Sequence, residues 1–158
     1  MKLDILSRTI AKLEELVRTI RFEPMQTATL EIKPVPPNDG DWKEIYKSIC
    51  ALLNSRGGYL ILGIRECNAK EGEPARYEFP GWDSNCESKL KDELWGKFTD
   101  RRGDRLDIRD MLERLILRPF PAGPDRDSPG GRTAGGPQVC VFRREGVSPR
   151  RHWGSLHL

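Results

Sequence analysis

Residues 41–66 restrict the fold more than any other part of the sequence, because they read as an amphipathic helix, a turn with two glycines and a buried strand. Apolar residues recur at the spacing of a helix that packs on a core: Trp42, Ile45, Tyr46, Ile49, Cys50 and Leu53. Asp41, with Glu44 three residues later, predicts a capped helix start. Gly57 and Gly58 end the helix. Residues 59–64 are nearly all apolar, as in a strand covered on both faces.

Further elements are predicted on both sides of this unit. Residues 29–33 alternate as a half-buried strand, with Leu30 and Ile32 on one side and Glu31 and Lys33 on the other. After the unit we expect a polar loop over 67–83, a helix to about Phe98, a segment over 106–117 that begins helical and ends as a strand, and a closing strand over 139–144. The pattern predicts an α/β (α+β) fold, a single domain in which helices flank a small mixed sheet.

The first residues form a narrow apolar stripe with heptad-like spacing: Leu3, Leu6, Ile10, Leu13, Val17 and Ile20. This spacing predicts an amphipathic helix over residues 2–21. We expect the stripe to pack on the same domain, and the alternative is a homodimer or a partner helix that docks there. The predicted division is therefore an N-terminal helix over 1–22 and a domain over 23–158. Residues 119–138, rich in glycine and proline, are expected to be a flexible loop in that domain.

Composition argues against several other classes of protein. The four cysteines are scattered without a C-x-x-C pair, which favours a reducing compartment over a disulfide framework. Charges throughout the N-terminus exclude a signal peptide or a membrane span there, so we expect a soluble intracellular protein with no membrane partner. A Walker ATPase needs Gly-Lys followed by Ser or Thr between a strand and a helix. The one Gly-Lys pair, Gly96-Lys97, is followed by Phe98 in a predicted helix, so we expect no nucleotide cofactor.

Three sequence blocks carry a resemblance to a known family. The chain resembles the Schlafen/AlbA-type domain, also described as a divergent AAA or DNA-binding domain. The resemblance lies in T-L-E-I-K, in a helix with K-x-I-C-A-L-L-N, and in S-R-G-G-Y-L-I-L-G-I-R-E. The later V-C-V-F-R-R-E-G-V-S-P-R-R is similar to the closing strand of that family. The similarity covers about residues 26–66 and, more thinly, 139–151. It implies an α/β domain that binds nucleic acid.

The resemblance also supplies an enzymatic alternative. Some Schlafen proteins are metal-dependent RNA nucleases, particularly on tRNA, with an acidic centre of two glutamates and an aspartate. In this chain Glu31 keeps one carboxylate, the earlier position falls on Gln26, and the last falls on Arg65 and Glu66. Because a Mg²⁺ or Mn²⁺ site needs clustered carboxylate oxygens, Glu31 and Glu66 are the catalytic candidates if the chain is a nuclease. The neutral Gln26 and the cationic Arg65 favour a domain without catalysis.

Clustered basic residues favour binding. The candidate phosphate contacts are Lys33, Lys43, Lys47, Arg56 and Arg65 around the central unit, and Arg143, Arg144, Arg150 and Arg151 near the end. Trp153 and Tyr59 are candidates for stacking on a base. The alternative interpretation is a scattered charged surface that keeps the protein in solution.

Three hypotheses follow from the sequence. The leading one is a nucleic-acid-binding domain of regulatory or accessory role, for DNA or RNA, without catalysis of its own. The second is a metal-dependent endoribonuclease acting on tRNA-like RNA. The third is a protein-interaction module that uses the N-terminal helix.

Overall fold

A strand–helix–strand crossover lies at the centre of the computed structural model, which describes residues 2–36, 41–82, 84–117 and 138–144. The helices in these ranges are α1 (Lys2–Arg18), α2 (Lys43–Asn54) and α3 (Ser84–Glu93), with 3-10 turns at Leu94–Gly96 and Ile108–Asp110. The strands are β1 (Leu30–Lys33), β2 (Gly58–Leu62), β3 (Arg65–Cys67), β4 (Arg76–Glu78), β5 (Glu113–Leu117) and β6 (Val139–Arg144).

Four of these strands form one mixed sheet in the order β1-β2-β6-β5. β1 and β2 run parallel, with Ile32 opposite Ile61, because α2 carries the chain back across the sheet between them. β6 is antiparallel to both β2 and β5. β3 and β4 pair as a separate antiparallel hairpin. The predicted single-domain α/β fold with a small mixed sheet is confirmed.

The two faces of the sheet are covered by different helices. On one face, Leu60 and Phe142 pack with the buried stripe of α2 and with Leu90 of α3. On the other face, Ile61 and Val141 pack with α1 and the β3–β4 hairpin. Both strands are therefore apolar on both sides, which explains the unbroken apolar runs in their sequences.

Helix α1 buries most of its apolar stripe against the second face. Leu6, Leu13 and Leu16 are at most 4% exposed and contact the cluster around Ile61. The predicted span of 2–21 was too long, since α1 ends at Arg18 and Ile20 lies beyond it, 73% exposed. The stripe thus packs on the same domain. A homodimer or partner helix at α1 stays a prediction, as does the division at residue 22.

Two glycines allow close backbone contacts at the ends of β2. At Gly58, with φ +145°, a Cβ atom would stand 2.6 Å from the carbonyl oxygen of Thr29. At Gly63, a Cβ atom would lie 3.1 Å from the Gly81 backbone and 3.3 Å from the Gln138 carbonyl oxygen. The lack of a side chain at Gly63 therefore lets the backbone near Gly81 and Gln138 approach the end of β2.

Other sequence predictions need correction. Residues 67–83 are not only loop, because they contain β4, whose partner β3 includes Cys67. α2 begins at Lys43 with Trp42 in the N-cap position, and Asp41 accepts a hydrogen bond from the Lys43 N–H at 2.8 Å instead of completing the predicted capping box. α3 ends at Glu93, before the expected Phe98. The turn at 38–40 and the loop at 119–137 lie outside the described residues.

The helices in the described ranges are all too short or too polar to cross a membrane.

Candidate nucleic-acid interface

Three of the predicted basic residues gather on the exposed side of α2 and the neighbouring end of β1. Lys43 and Lys47 are exposed on the first turns of α2, and Lys33 ends β1. Lys47 donates a hydrogen bond to Glu44 at 2.7 Å. This bond, with the charges of Lys47, Lys33 and Lys43, lowers the pKa of the Glu44 carboxyl. Lys43 and Lys47 are one turn apart on α2. Lys33 reaches the same helix through Glu31, which lies 3.4 Å from the Lys33 ammonium and accepts a hydrogen bond from Ser48 of α2.

Two further lysines border the same part of α2 from the other side. The Lys89 ammonium stands 5.9 Å from the ring centroid of Trp42, and the Lys97 ammonium stands 5.8 Å from that of Tyr46. Both arrangements are cation–π contacts, which hold the charged ends near the α2 surface. We call Lys33, Lys43, Lys47, Lys89 and Lys97 the lysine strip. Sequence reasoning missed Lys89 and Lys97, because only the packing of the α3 region beside α2 brings them to this surface.

Among the described residues, the contacts place three carboxylates beside the five lysines of the strip, those of Glu31, Asp41 and Glu44. Asp41 and Glu44 are exposed at the start of α2. The Asp41 carboxylate accepts from the Lys43 backbone, and Glu44 is paired with Lys47. The surface therefore keeps an excess of positive charge, and the positive end of the α2 dipole lies at the same place.

The candidate catalytic carboxylate Glu31 is already occupied by neighbours within the chain. It points from β1 towards α2, where its Oε1 accepts a hydrogen bond from the Ser48 hydroxyl at 3.0 Å. The same oxygen lies 3.4 Å from the Lys33 ammonium. Glu31 and Lys33 thus form an ion pair on the side of β1 that the alternation predicted to be polar.

The second candidate carboxylate, Glu66, has a different set of neighbours. Gln26 donates from Nε2 to its Oε2 at 2.8 Å, and Gln26 Oε1 accepts a long bond, 3.5 Å, from the backbone N–H of Ile32. The Gln26 amide therefore joins β3 to the edge of β1. Gln26 and Glu31 also share the lining of an open cleft of about 260 Å³ near the end of α2, with Thr29, Ser55 and Tyr59 among its other residues.

The remaining predicted basic residues are spread over other surfaces. Arg56 is exposed beyond the C-terminal end of α2, about 18 Å along the helix axis from Lys43. Arg65 lies on β3, 3.5 Å from Glu78. Arg143 pairs with Glu113 on β5. Arg144 is 8% exposed, and burial lowers its pKa. Arg150, Arg151 and Trp153 lie outside the described residues.

Two other features bear on the predicted chemistry. Within the described ranges, no group of three or more His, Cys, Asp or Glu side chains is placed to hold a metal ion. Tyr59, a predicted stacking residue, is half-buried and packs with the α1 cluster. It therefore lies on the opposite face of the sheet from the lysine strip.

Comparisons with known proteins bear on the central unit. The model of a family described as Schlafen, AlbA_2 matches residues 26–105, about half of the chain, and this range contains the whole lysine strip. Among solved structures, the chain is similar to the N-terminal domain of an ATP-dependent DNA helicase RecG-related protein from Nitrosomonas europaea, solved by solution NMR. The two share 18% sequence identity with a TM-score of 0.42, over 87% of this chain and 72% of that one. A comparison with curated proteins gave no match.

Proposed function

We propose that this chain, which belongs to the Schlafen, AlbA_2 family, binds the phosphate backbone of nucleic acid through the lysine strip and has a regulatory or accessory role. The observation that carries the proposal is that five lysines, from β1, α2 and the α3 region, border the N-terminal half of one helix. A strip of this kind suits phosphates, because ammonium groups neutralise them and release condensed counterions. The family resemblance, which implies nucleic-acid binding, supports the same conclusion.

We further propose that the domain has no nuclease activity. Glu31 forms an ion pair with Lys33, and Glu66 accepts a hydrogen bond from the Gln26 amide. A divalent cation would have to compete with both arrangements, and an amide contributes no negative charge to a metal site. The contacts of these residues therefore support binding over cleavage.

The first experiment measures binding by fluorescence anisotropy, with a labelled DNA duplex and a labelled RNA hairpin, at about 50 mM and about 200 mM salt. If all five lysines contact phosphates of a duplex, the slope of log K against log salt approaches about −4.5. The double variant Lys43→Ala/Lys47→Ala should reduce the size of the slope by about 2 and weaken binding roughly tenfold per lysine near 0.1 M salt.

A matched control removes the same type of charge elsewhere. Lys70 is exposed in the turn between β3 and β4, outside the strip, so Lys70→Ala should leave the slope unchanged. Absence of binding at the lower salt concentration would refute the proposed function. If Lys43→Ala/Lys47→Ala has the same salt slope as the unsubstituted protein, the strip is not the binding surface.

A second experiment separates binding from cleavage at one residue. Glu31→Gln keeps an oxygen that can accept from Ser48 but removes the charge that pairs with Lys33. If the domain only binds, phosphate no longer competes with Glu31 for Lys33. The affinity should then stay equal or rise by up to about fivefold, the range of a surface ion pair. If the domain is a nuclease, the unsubstituted protein should cut tRNA with Mg²⁺ or Mn²⁺ and the variant should not. Such a result would overturn the non-catalytic proposal.

A further inference from the structure

We infer that the lysine strip accepts duplex nucleic acid in preference to unpaired strands. This inference rests on the proposed function, since it names the form of ligand that the same surface takes. It follows from the two aromatic rings beside the strip, those of Trp42 and Tyr46, which lysine side chains cover.

The rings of Trp42 and Tyr46 are almost fully buried. Their residues are 4% and 8% exposed, and each ring has a lysine ammonium over it. Trp42 also packs edge-to-face against Trp82, with ring centroids 6.1 Å apart. A base could stack on either ring only by displacing a lysine and opening the core, so the strip loses the stacking energy on which single-strand binding depends.

The other aromatic side chains that the structure describes offer no substitute at this surface. Trp82, Phe98 and Phe142 are at most 4% exposed. The others belong to the cluster on the α1 face of the sheet: Phe22, Tyr59, Tyr77 and Phe79. The described part of the strip thus binds through charge alone. Among the side chains that the structure describes, it has no exposed aromatic ring on which a base could stack.

A surface that binds only through charge should bind a duplex more tightly than a single strand, because the duplex has the higher charge density. The salt exponent is about 0.9 per phosphate contact for B-form DNA and about 0.7 for a single strand. Five contacts therefore separate the two forms by about one unit of log K, or roughly tenfold, near 0.1 M salt. Because phosphates carry no sequence information, the preference should be independent of base sequence.

The test uses one labelled DNA oligonucleotide of mixed sequence, first alone and then annealed to its complement, with the full chain at about 0.1 M salt. The expected result is roughly tenfold tighter binding to the duplex with a steeper salt slope, and the same Kd for a second duplex of permuted sequence.

The possible failures are distinguishable. Equal binding of the two forms, or tighter binding of the single strand, would overturn the duplex inference and leave the proposed function standing. If neither form binds even at about 50 mM salt, where the electrostatic contribution is largest, the proposed function itself is refuted.

Discussion

Replacement of Ile20 by glycine should make the protein more stable, although it removes an apolar side chain. Ile20 follows α1 with φ at +52°, in the left-handed region that branched side chains rarely adopt. The Ile20 N–H donates to the Val17 carbonyl and the Arg21 N–H donates to the Leu16 carbonyl. These two bonds form a Schellman motif, in which glycine is the usual residue at the position of Ile20.

The magnitude follows from one stabilising and two destabilising contributions. The left-handed conformation costs a residue with a Cβ atom about 1–2 kcal/mol, and the branched isoleucine lies at the upper end. Since Ile20 is 73% exposed, its side chain contributes about a quarter of full burial, or about 0.5 kcal/mol. Glycine adds flexibility to the unfolded chain at a cost of about 0.5 kcal/mol. The net expectation is a gain of about 0.5–1 kcal/mol.

Urea denaturation measures this gain, which should appear as a higher midpoint with an unchanged slope. Ile5 supplies a matched control, because it is 60% exposed but lies inside α1. Ile5→Gly should cost about 0.5–1 kcal/mol, so the same substitution should have opposite signs at the two sites. Ile20→Ala removes the side chain but keeps a Cβ atom. If Ile20→Gly is no more stable than Ile20→Ala, the conformational explanation is wrong.

Three further predictions concern other parts of the fold. Gly58→Ala should destabilise the protein by about 2 kcal/mol or more, because its Cβ would collide with the Thr29 carbonyl oxygen at 2.6 Å; a urea midpoint equal to that of the unsubstituted protein would contradict this. Burial raises the pKa of the Cys140 thiol to about 12. Alkylation near pH 8, followed by mass spectrometry, should therefore label Cys140 last of the four cysteines. Early labelling of Cys140 would show that β6 opens. Hydrogen bonds from the Arg109 side chain and backbone lower the pKa of Asp107 from 3.8 to about 2. A carboxyl pKa that is lower in the folded than in the unfolded chain stabilises the fold at pH values above the ordinary carboxyl pKa. This contribution should be lost as pH falls from about 4 towards 2. Arg109→Gln should raise the Asp107 pKa in an NMR titration.

Local patterns in the sequence were sufficient to predict the centre of the fold. The alternation of β1, the apolar stripe of α2 and the closing strand β6 are each decided by neighbours in the sequence. The same patterns predicted that Lys33, Lys43 and Lys47 face away from the core, because these residues lie on the polar sides of elements whose apolar sides face the core.

The features that the sequence did not predict depend on contacts between distant residues. β3 and β4 are three residues each, too short for a clear alternation, and the Arg65–Glu78 ion pair joins the two strands. The Gln26–Glu66 bond joins residues 40 positions apart. The lysines over Trp42 and Tyr46 could be found only after α3 had been placed beside α2. A search for lysines within reach of the buried aromatic rings would then identify them.

The lysine strip exists only in the folded chain, and this has a consequence for how it would bind. Lys33 comes from β1, Lys43 and Lys47 from α2, and Lys89 and Lys97 from the α3 region, so unfolding separates the charges although the net charge of +3 is unchanged. A polyanion that recognised only net charge would bind folded and unfolded chains alike and would leave stability unaffected. A ligand of the strip binds the folded state preferentially and must therefore stabilise it, by about 2.7 kcal/mol at a hundred times its Kd. Stabilisation by the ligand thus distinguishes a surface built by the fold from non-specific attraction to a basic chain.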